Sequence, residues 1–255
     1  MKLFDKSSWL KYGTEAIGTF VLVLFACGAA AVTGSVIVIA LAFGLSIVVV
    51  GYTFGRFSGT HLNPAVTFAK CLQKEIGWLQ GLMYMASQFI GAFLAGLILF
   101  IVFRLMGNDY SALGANFTGF WTLTTDASGN PIVDPGRLPA ALLVEAILSF
   151  VFISVVLFST DKPNKFAPLI IGGGLTFVHL LGANLPGGTS VNPARSFGVA
   201  IWAAINGHWD AAAELVFFIA IPIGAAFLAY LVHGAVTGKR RERNTQVEEP
   251  AASAE

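Results

Sequence analysis

The chain has 255 residues, of which 56% are apolar and 11% charged, with a formal net charge of +1. Soluble domains carry about 25% charged residues, so the deficit points to a membrane protein, and the near-neutral balance argues against a nucleic-acid partner. Its two cysteines, Cys27 and Cys71, lie in or beside apolar stretches, which speaks against a disulfide framework and leaves packing as their role.

In chain order, apolar stretches at 10–31, 36–54, 78–103, 138–158, 167–183 and 211–236 predict six membrane spans. A hydrocarbon core needs about 20 apolar residues, so the second and fifth stretches sit near the lower limit. The first is too long for a cleaved leader and contains Glu15, and the repeat described below requires it as a span. Between spans 3 and 4 lies a long polar connection, 107–137, in which Asn116-Phe117-Thr118 matches a glycosylation sequon at a frequency chance explains. The charged end from Thr237 reads as a disordered tail. Basic residues set the orientation. With both termini cytoplasmic, the inside collects Lys2, Lys6, Lys11, Arg56, Lys70, Lys74, Lys162, Lys165, Lys239, Arg240, Arg241 and Arg243. The outside then holds Arg104, Arg137 and Arg195.

The chain repeats itself. Glu15-x-x-x-Thr19-Phe20 matches Glu145-x-x-x-Ser149-Phe150, and Asn63-Pro64-Ala65 matches Asn192-Pro193-Ala194. Gly91-Ala92-Phe93-Leu94-Ala95 resembles Gly224-Ala225-Ala226-Phe227-Leu228-Ala229. Each half holds three spans, so the second crosses the membrane inverted relative to the first. Inverted repeats place the functional site at their interface near the midplane. The predicted organisation is a first repeat over 1–106, an extracellular connection over 107–137, a second repeat over 138–236 and a cytoplasmic tail over 237–255.

Each Asn-Pro-Ala opens a short apolar segment, 64–72 and 193–204. Asn is a favoured helix N-cap and Pro a favoured first helical residue. Nine to twelve residues span roughly 14–18 Å, about half the hydrocarbon core. Both segments therefore read as re-entrant half-helices, one from each side, with their N-termini meeting at the middle. Two positive helix ends and two Asn amides there repel cations and offer donors to a neutral guest. The expected fold is an all-α membrane protein of six transmembrane helices plus two re-entrant half-helices in two inverted repeats.

At these residues the chain resembles the aquaporin (major intrinsic protein) family. Ser58-Gly59-Thr60-His61-Leu62-Asn63-Pro64-Ala65-Val66-Thr67 and Thr189-Ser190-Val191-Asn192-Pro193-Ala194-Arg195-Ser196 are similar to its two signature loops, and the resemblance spans about 10–236. It implies a homotetramer in the cell membrane with one pore per subunit. It also implies a selectivity filter of Phe43, His179, Thr189 and Arg195, with Glu15 and Glu145 accepting hydrogen bonds from the re-entrant loops. Glycerol-conducting relatives carry Trp and Gly in place of the first two filter residues. They also have Asp and Lys where this chain has Ser196 and Ala200, so the water branch is favoured. Two departures lean the other way. Ile219 breaks the aromatic pair begun by Phe218, and the interval from His179 to Arg195 has one extra residue, held in Leu185-Pro186-Gly187-Gly188.

The implied function is passive water conduction that excludes protons and ions. A glycerol-type facilitator is the alternative, and a proton-coupled transporter using Glu15 and Glu145 a remote one. His61 is expected in the cytoplasmic vestibule, and His208 and His233 at the surface or interface. An intramembrane enzyme would need a nucleophile–base pair, a carboxylate dyad or metal ligands within the spans, and no such pattern occurs. Neither cofactor nor metal is implied.

Overall fold

The computed structural model describes residues 5–107, 110, 112–120, 124–125, 131–132 and 136–248. The long helices are α1 (Lys6–Val32), α2 (Val36–Ser58), α4 (Trp78–Met106), α5 (Arg137–Ser159), α6 (Ala167–Gly182) and α9 (Leu215–Glu248). The half-helices are α3 (Pro64–Leu72) and α7 (Pro193–Ile205), and α8 (Trp209–Ala213) is a single turn before α9. Two two-residue strands, β1 (Thr124–Thr125) and β2 (Pro131–Ile132), pair antiparallel within the long connection. The fold is thus all-helical apart from this minimal ladder.

Local chemistry sets the helix ends. Asp5 caps α1 by accepting from the Ser8 amide at 2.8 Å, and that bond holds its carboxyl below the ordinary range. Gly59 and Gly107 close α2 and α4 in the left-handed conformation. Five helices have the length and apolarity to cross a membrane. The sixth crossing, α6, has 16 residues and spans about 24 Å. Two boundaries differ from the sequence expectation. The last span is broken at Glu214 into α8 and α9. Helix α9 also runs on through Glu248 instead of giving way to disorder at 237, because Lys239-Arg240-Arg241-Glu242-Arg243 are good helix formers. Residues 249–255 of the expected tail lie outside the described residues.

The helix contacts come in matched pairs. α1 packs on α2 and α4, as α5 packs on α6 and α9. α3 packs on α9 and α5, as α7 packs on α4 and α1, while α2 and α6 pair across the interface and α3 touches α7. Exchanging α1, α2, α3 and α4 for α5, α6, α7 and α9 leaves this pattern unchanged, as expected of a duplicated unit. Small residues permit the closest approaches. A methyl group at Gly44 would collide with Thr176 of α6 and lie 2.5 Å from the Gly172 carbonyl. One at Gly91 would strike the Ala16 carbonyl, and one at Gly96 that of Gly198. The bundle is therefore drawn in tightly around the two half-helices.

Candidate functional site

The two half-helices meet end to end through their first residues. Asn63 caps α3, its Oδ1 accepting from the Ala65 amide at 2.8 Å. Asn192 caps α7, its Oδ1 accepting from Ala194 at 3.0 Å and Arg195 at 3.3 Å. These bonds fix each amide's orientation, so both Nδ2 groups face the opposite loop. Asn63 Nδ2 donates to the Val191 carbonyl at 2.7 Å, and Asn192 Nδ2 donates to the Leu62 carbonyl at 2.9 Å. Each amide has two hydrogens, so each Asn keeps one for a guest. Pro64 and Pro193 take the first helical position, where a missing N–H costs nothing.

The loops that present these residues are bent against conformational preference. Thr60, Leu62, Thr189 and Val191 all have positive φ, between 47° and 57°. For β-branched residues that region is strongly disfavoured. Two buried carboxylates compensate. Glu15 accepts from Ser58 Oγ (2.6 Å), the His61 amide (3.0 Å), the Leu62 amide (2.8 Å) and Gln88 Nε2 (2.8 Å). Glu145 accepts from the Ser190 amide (2.9 Å), the Val191 amide (2.6 Å) and Ser149 Oγ (3.4 Å). Unpaired, each buried amide would cost about 1–3 kcal/mol, so the carboxylates hold both strained loops in place.

On the side of the long connection, Phe43, His179 and Arg195 lie together, and Thr189 stands beside Gly182 of α6; all four are almost wholly buried. The Phe43 and His179 rings stack with centroids 3.9 Å apart and planes 18° apart. The Arg195 guanidinium carbon lies 5.1 Å from the Phe43 centroid. His179 Nδ1 is 2.9 Å from the Leu175 carbonyl and, as the only available donor there, carries the proton. In the neutral ring its Nε2 is then an acceptor. His179 Nε2, Thr189 Oγ1 and Arg195 Nε are buried without a partner among the described residues. The constriction thus holds an acceptor, a hydroxyl and a cationic donor that no described residue satisfies.

Below the constriction a cavity is lined by Leu22, Phe43, Ile47, His61, Leu62, Asn63, Phe152, Leu175, Ser190, Val191, Asn192 and Arg195. Its volume is about 10 Å³, roughly what a single water molecule needs. One wall is aliphatic and aromatic, and the other carries the two Asn amides and the loop carbonyls. His61 closes the far end, its Nδ1 3.2 Å from Thr67 Oγ1 and its ring edge-on to Tyr84. A second, open pocket of about 740 Å³ is lined by parts of 112–119, 136–140 and 184–186 with His208 and Asp210, and by none of the four residues of the constriction. Ile219 is half-buried and lines neither space, whereas Phe218 is buried and packs near Gly187.

The chain matches the sequence family described as Major intrinsic protein over residues 2–233. It belongs to that family. It is 36% identical over 228 residues to Aquaporin Z of Bradyrhizobium diazoefficiens, covering 85% of this chain and 89% of that relative. It is 37% identical over 227 residues to Glycerol uptake facilitator protein-like 6 of Lactiplantibacillus plantarum, covering 86% of this chain and 95% of that relative. Among solved structures, the X-ray structure of the aquaglyceroporin from Plasmodium falciparum superposes with a TM-score of 0.68 at 19% identity. That likeness, over 88% of this chain and 93% of that one, is one of fold. The chain is therefore a multi-pass membrane protein of a channel family.

In this major intrinsic protein three further residues support the site that motif reading did not single out. Gln88 of α4 donates to Glu15 and, at 2.9 Å, to Thr67 Oγ1. Asn116 of the long connection accepts from Arg195 Nη1 and, at 2.8 Å, from Ser196 Oγ, while its Nδ2 donates to the Gly187 carbonyl at 2.7 Å. Asn116 is buried with both amide ends engaged, so the sequon it begins is a structural residue rather than an accessible acceptor. Glu214 accepts from the Thr118 amide and hydroxyl at 2.5 Å each. The one available signal was polarity inside an otherwise apolar neighbourhood.

Proposed function

We infer that this protein is a passive water channel. What supports this reading is the grouping of Phe43, His179 and Arg195 beside a single-water cavity that Phe43, Arg195 and both motif asparagines line. A water molecule there can accept from Arg195 and donate to His179 Nε2. It then passes to the free hydrogens of Asn63 and Asn192. Phe43 and His179 fill the places where glycerol-conducting relatives carry Trp and Gly, which supports exclusion of glycerol. Cations and hydronium face the Arg195 charge and two positive helix N-termini in a low-dielectric setting, both unfavourable. Glu15 and Glu145 are engaged in holding the loops, which favours a structural role over proton relay, and the reading involves neither catalysis nor a cofactor.

The halves 1–106 and 138–236 act as inverted repeats joined by 107–137. The distribution of basic residues supports cytoplasmic termini in the cell membrane, and four subunits, each with its own pore, are the assembly proposed. A second reading, facilitation of glycerol or another small neutral solute, draws support from the relative named as a glycerol uptake facilitator-like protein, 37% identical against 36% for Aquaporin Z. Osmotic swelling of vesicles reconstituted with the purified chain separates the two. Fast water equilibration with glycerol entry near that of empty vesicles is the result expected. Glycerol entry comparable to that of a facilitator would overturn the water-selective reading.

A further inference from the structure

Part of the long connection lines the open pocket as a strap, and its contacts form a chain that ends on Arg195. Ala115 and Phe117 pack against Ala200, Ala203 and Ala211 on α7 and α8. The Phe117 carbonyl accepts from the Gly187 amide at 2.9 Å, and Asn116 Nδ2 returns a bond to the Gly187 carbonyl. The turn that holds the extra residue, closed by the Gly188 amide on the Leu185 carbonyl at 2.9 Å, is thus the surface on which the strap docks. A charged anchor of the strap is Glu214. This buried carboxylate at the α8–α9 break takes both Thr118 donors, and Thr118 Oγ1 in turn accepts from the Phe120 amide at 3.1 Å.

We propose that Glu214 is a positioning residue for solute selectivity: by clamping Thr118 it seats Asn116, and Asn116 holds the Arg195 guanidinium in the constriction. The arrangement has an electrostatic logic. A carboxylate bonded directly to Arg195 would orient it but neutralise its charge. Here a neutral amide does the orienting, and the carboxylate stands behind it, bonded to neutral Thr118. Among the described residues Arg195 forms no salt bridge. Its charge therefore remains available to repel cations while its geometry is fixed. The break in the last span also gains a purpose, because it turns the Glu214 side chain toward the strap at the mouth of the pore.

This inference rests on the reading of Arg195 as part of the filter, and the experiment separates the two. Glu214→Ala, Thr118→Val and Arg195→Ala, alone and with Glu214→Ala combined with Arg195→Ala, are reconstituted as full chains. The ratio of glycerol to water permeability is measured, which cancels the amount of folded channel. Glu214→Ala is expected to raise the ratio by roughly tenfold, the change that about 1.4 kcal/mol of lost restraint gives. Thr118→Val removes only the hydroxyl donor, is expected to raise the ratio less, and carries the test if Glu214→Ala fails to fold. On the Arg195→Ala background, Glu214→Ala should add nothing. If Arg195→Ala raises the ratio and neither Glu214→Ala nor Thr118→Val does, the positioning role is wrong. An equal further rise on the Arg195→Ala background overturns it too, since Glu214 would then act by another route. An unchanged ratio in Arg195→Ala removes the filter reading itself, and the positioning role with it.

Discussion

Glu145 offers a direct test of how the strained loop before α7 is held. Replacing it with Ala leaves the Ser190 and Val191 amides buried and unpaired. At about 1–3 kcal/mol each, the cost is roughly 2–6 kcal/mol before any relaxation. The positive φ at Thr189 and Val191 adds to it, because among the described residues Glu145 alone accepts from the Ser190 and Val191 amides and so resists a return to extended backbone. Glu145→Gln is the graded control. Its one remaining carbonyl oxygen can take one amide, while its Nε2 faces the other as donor against donor, so about half the loss is expected. Thermal unfolding of the purified protein in one detergent, followed by circular dichroism, reads the difference. Chains of this size lose about 2–4 °C per kcal/mol, so Glu145→Ala should melt at least about 4 °C below the parent, with Glu145→Gln between them. Water flux should fall in parallel, because the Val191 carbonyl anchors Asn63. A melting temperature for Glu145→Ala within about 1 °C of the parent would refute the view that this carboxylate restrains the loop. Any dependence of parent flux on an imposed proton gradient would reopen a relay role for it.

Other consequences follow from the same geometry. Arg195→Ala should admit glycerol while water still passes, measured by paired swelling assays; unchanged exclusion would take Arg195 out of the filter. Asn116→Asp places a carboxylate against Arg195, so conductance in planar bilayers should show a cation leak that the parent lacks, and a silent bilayer would contradict the charge argument. Asn192→Ala removes the α7 cap, worth about 0.5–2 kcal/mol, together with the bond to Leu62, and should lower both melting temperature and water flux. Gly91→Leu forces a side chain into the Ala16 carbonyl across α1 and α4, so the folded yield in detergent should collapse; a normal yield would mean the helices can part there.

Much of this was legible in the residue order, because membrane spans announce themselves by length and half-helices by their cap. Asn63-Pro64 and Asn192-Pro193 carry a local chemistry that needs no tertiary context, and the observed starts of α3 and α7 fall on those prolines. The end of the last span was less legible. Hydropathy falls at Thr237, but helix propensity does not, and a helix can leave the membrane without ending. The break at Glu214 was hidden for the opposite reason: apolar residues flank it on both sides, and only the tertiary bond to Thr118 explains the acid there. Phe43 and His179 were readable through resemblance, whereas their 3.9 Å stacking distance depends on the close contact of α2 with α6 at Gly44 and Gly172. Asn116 could not be read as a brace, since its partners lie 71 to 80 residues away and its match to a sequon was one that chance explains.

The duplication explains why that one asparagine is needed. In the first half the loop is braced from within the bundle: Gln88 on α4 bonds both Glu15 and Thr67. The repeat offset set by Asn63 and Asn192 makes Ser196 the counterpart of Thr67, and the offset set by Gly91 and Gly224 makes Ile221 the counterpart of Gln88. Ile221 has no polar atom to offer, so the second half lacks its internal brace. Asn116 supplies it from outside, accepting from Ser196 Oγ where Gln88 serves Thr67. The same shift distinguishes Val66 from Arg195. An aliphatic residue after the first motif needs no partner, but a guanidinium in the same place must be held by something uncharged if it is to keep its field. The two halves therefore share a skeleton of capped half-helices and carboxylate-held loops, and they part where one half-helix carries the charge. At that point the brace moves from a helix to a strap, and on the proposed reading of Arg195 selectivity becomes a property of the connection between the repeats as well as of the repeats themselves.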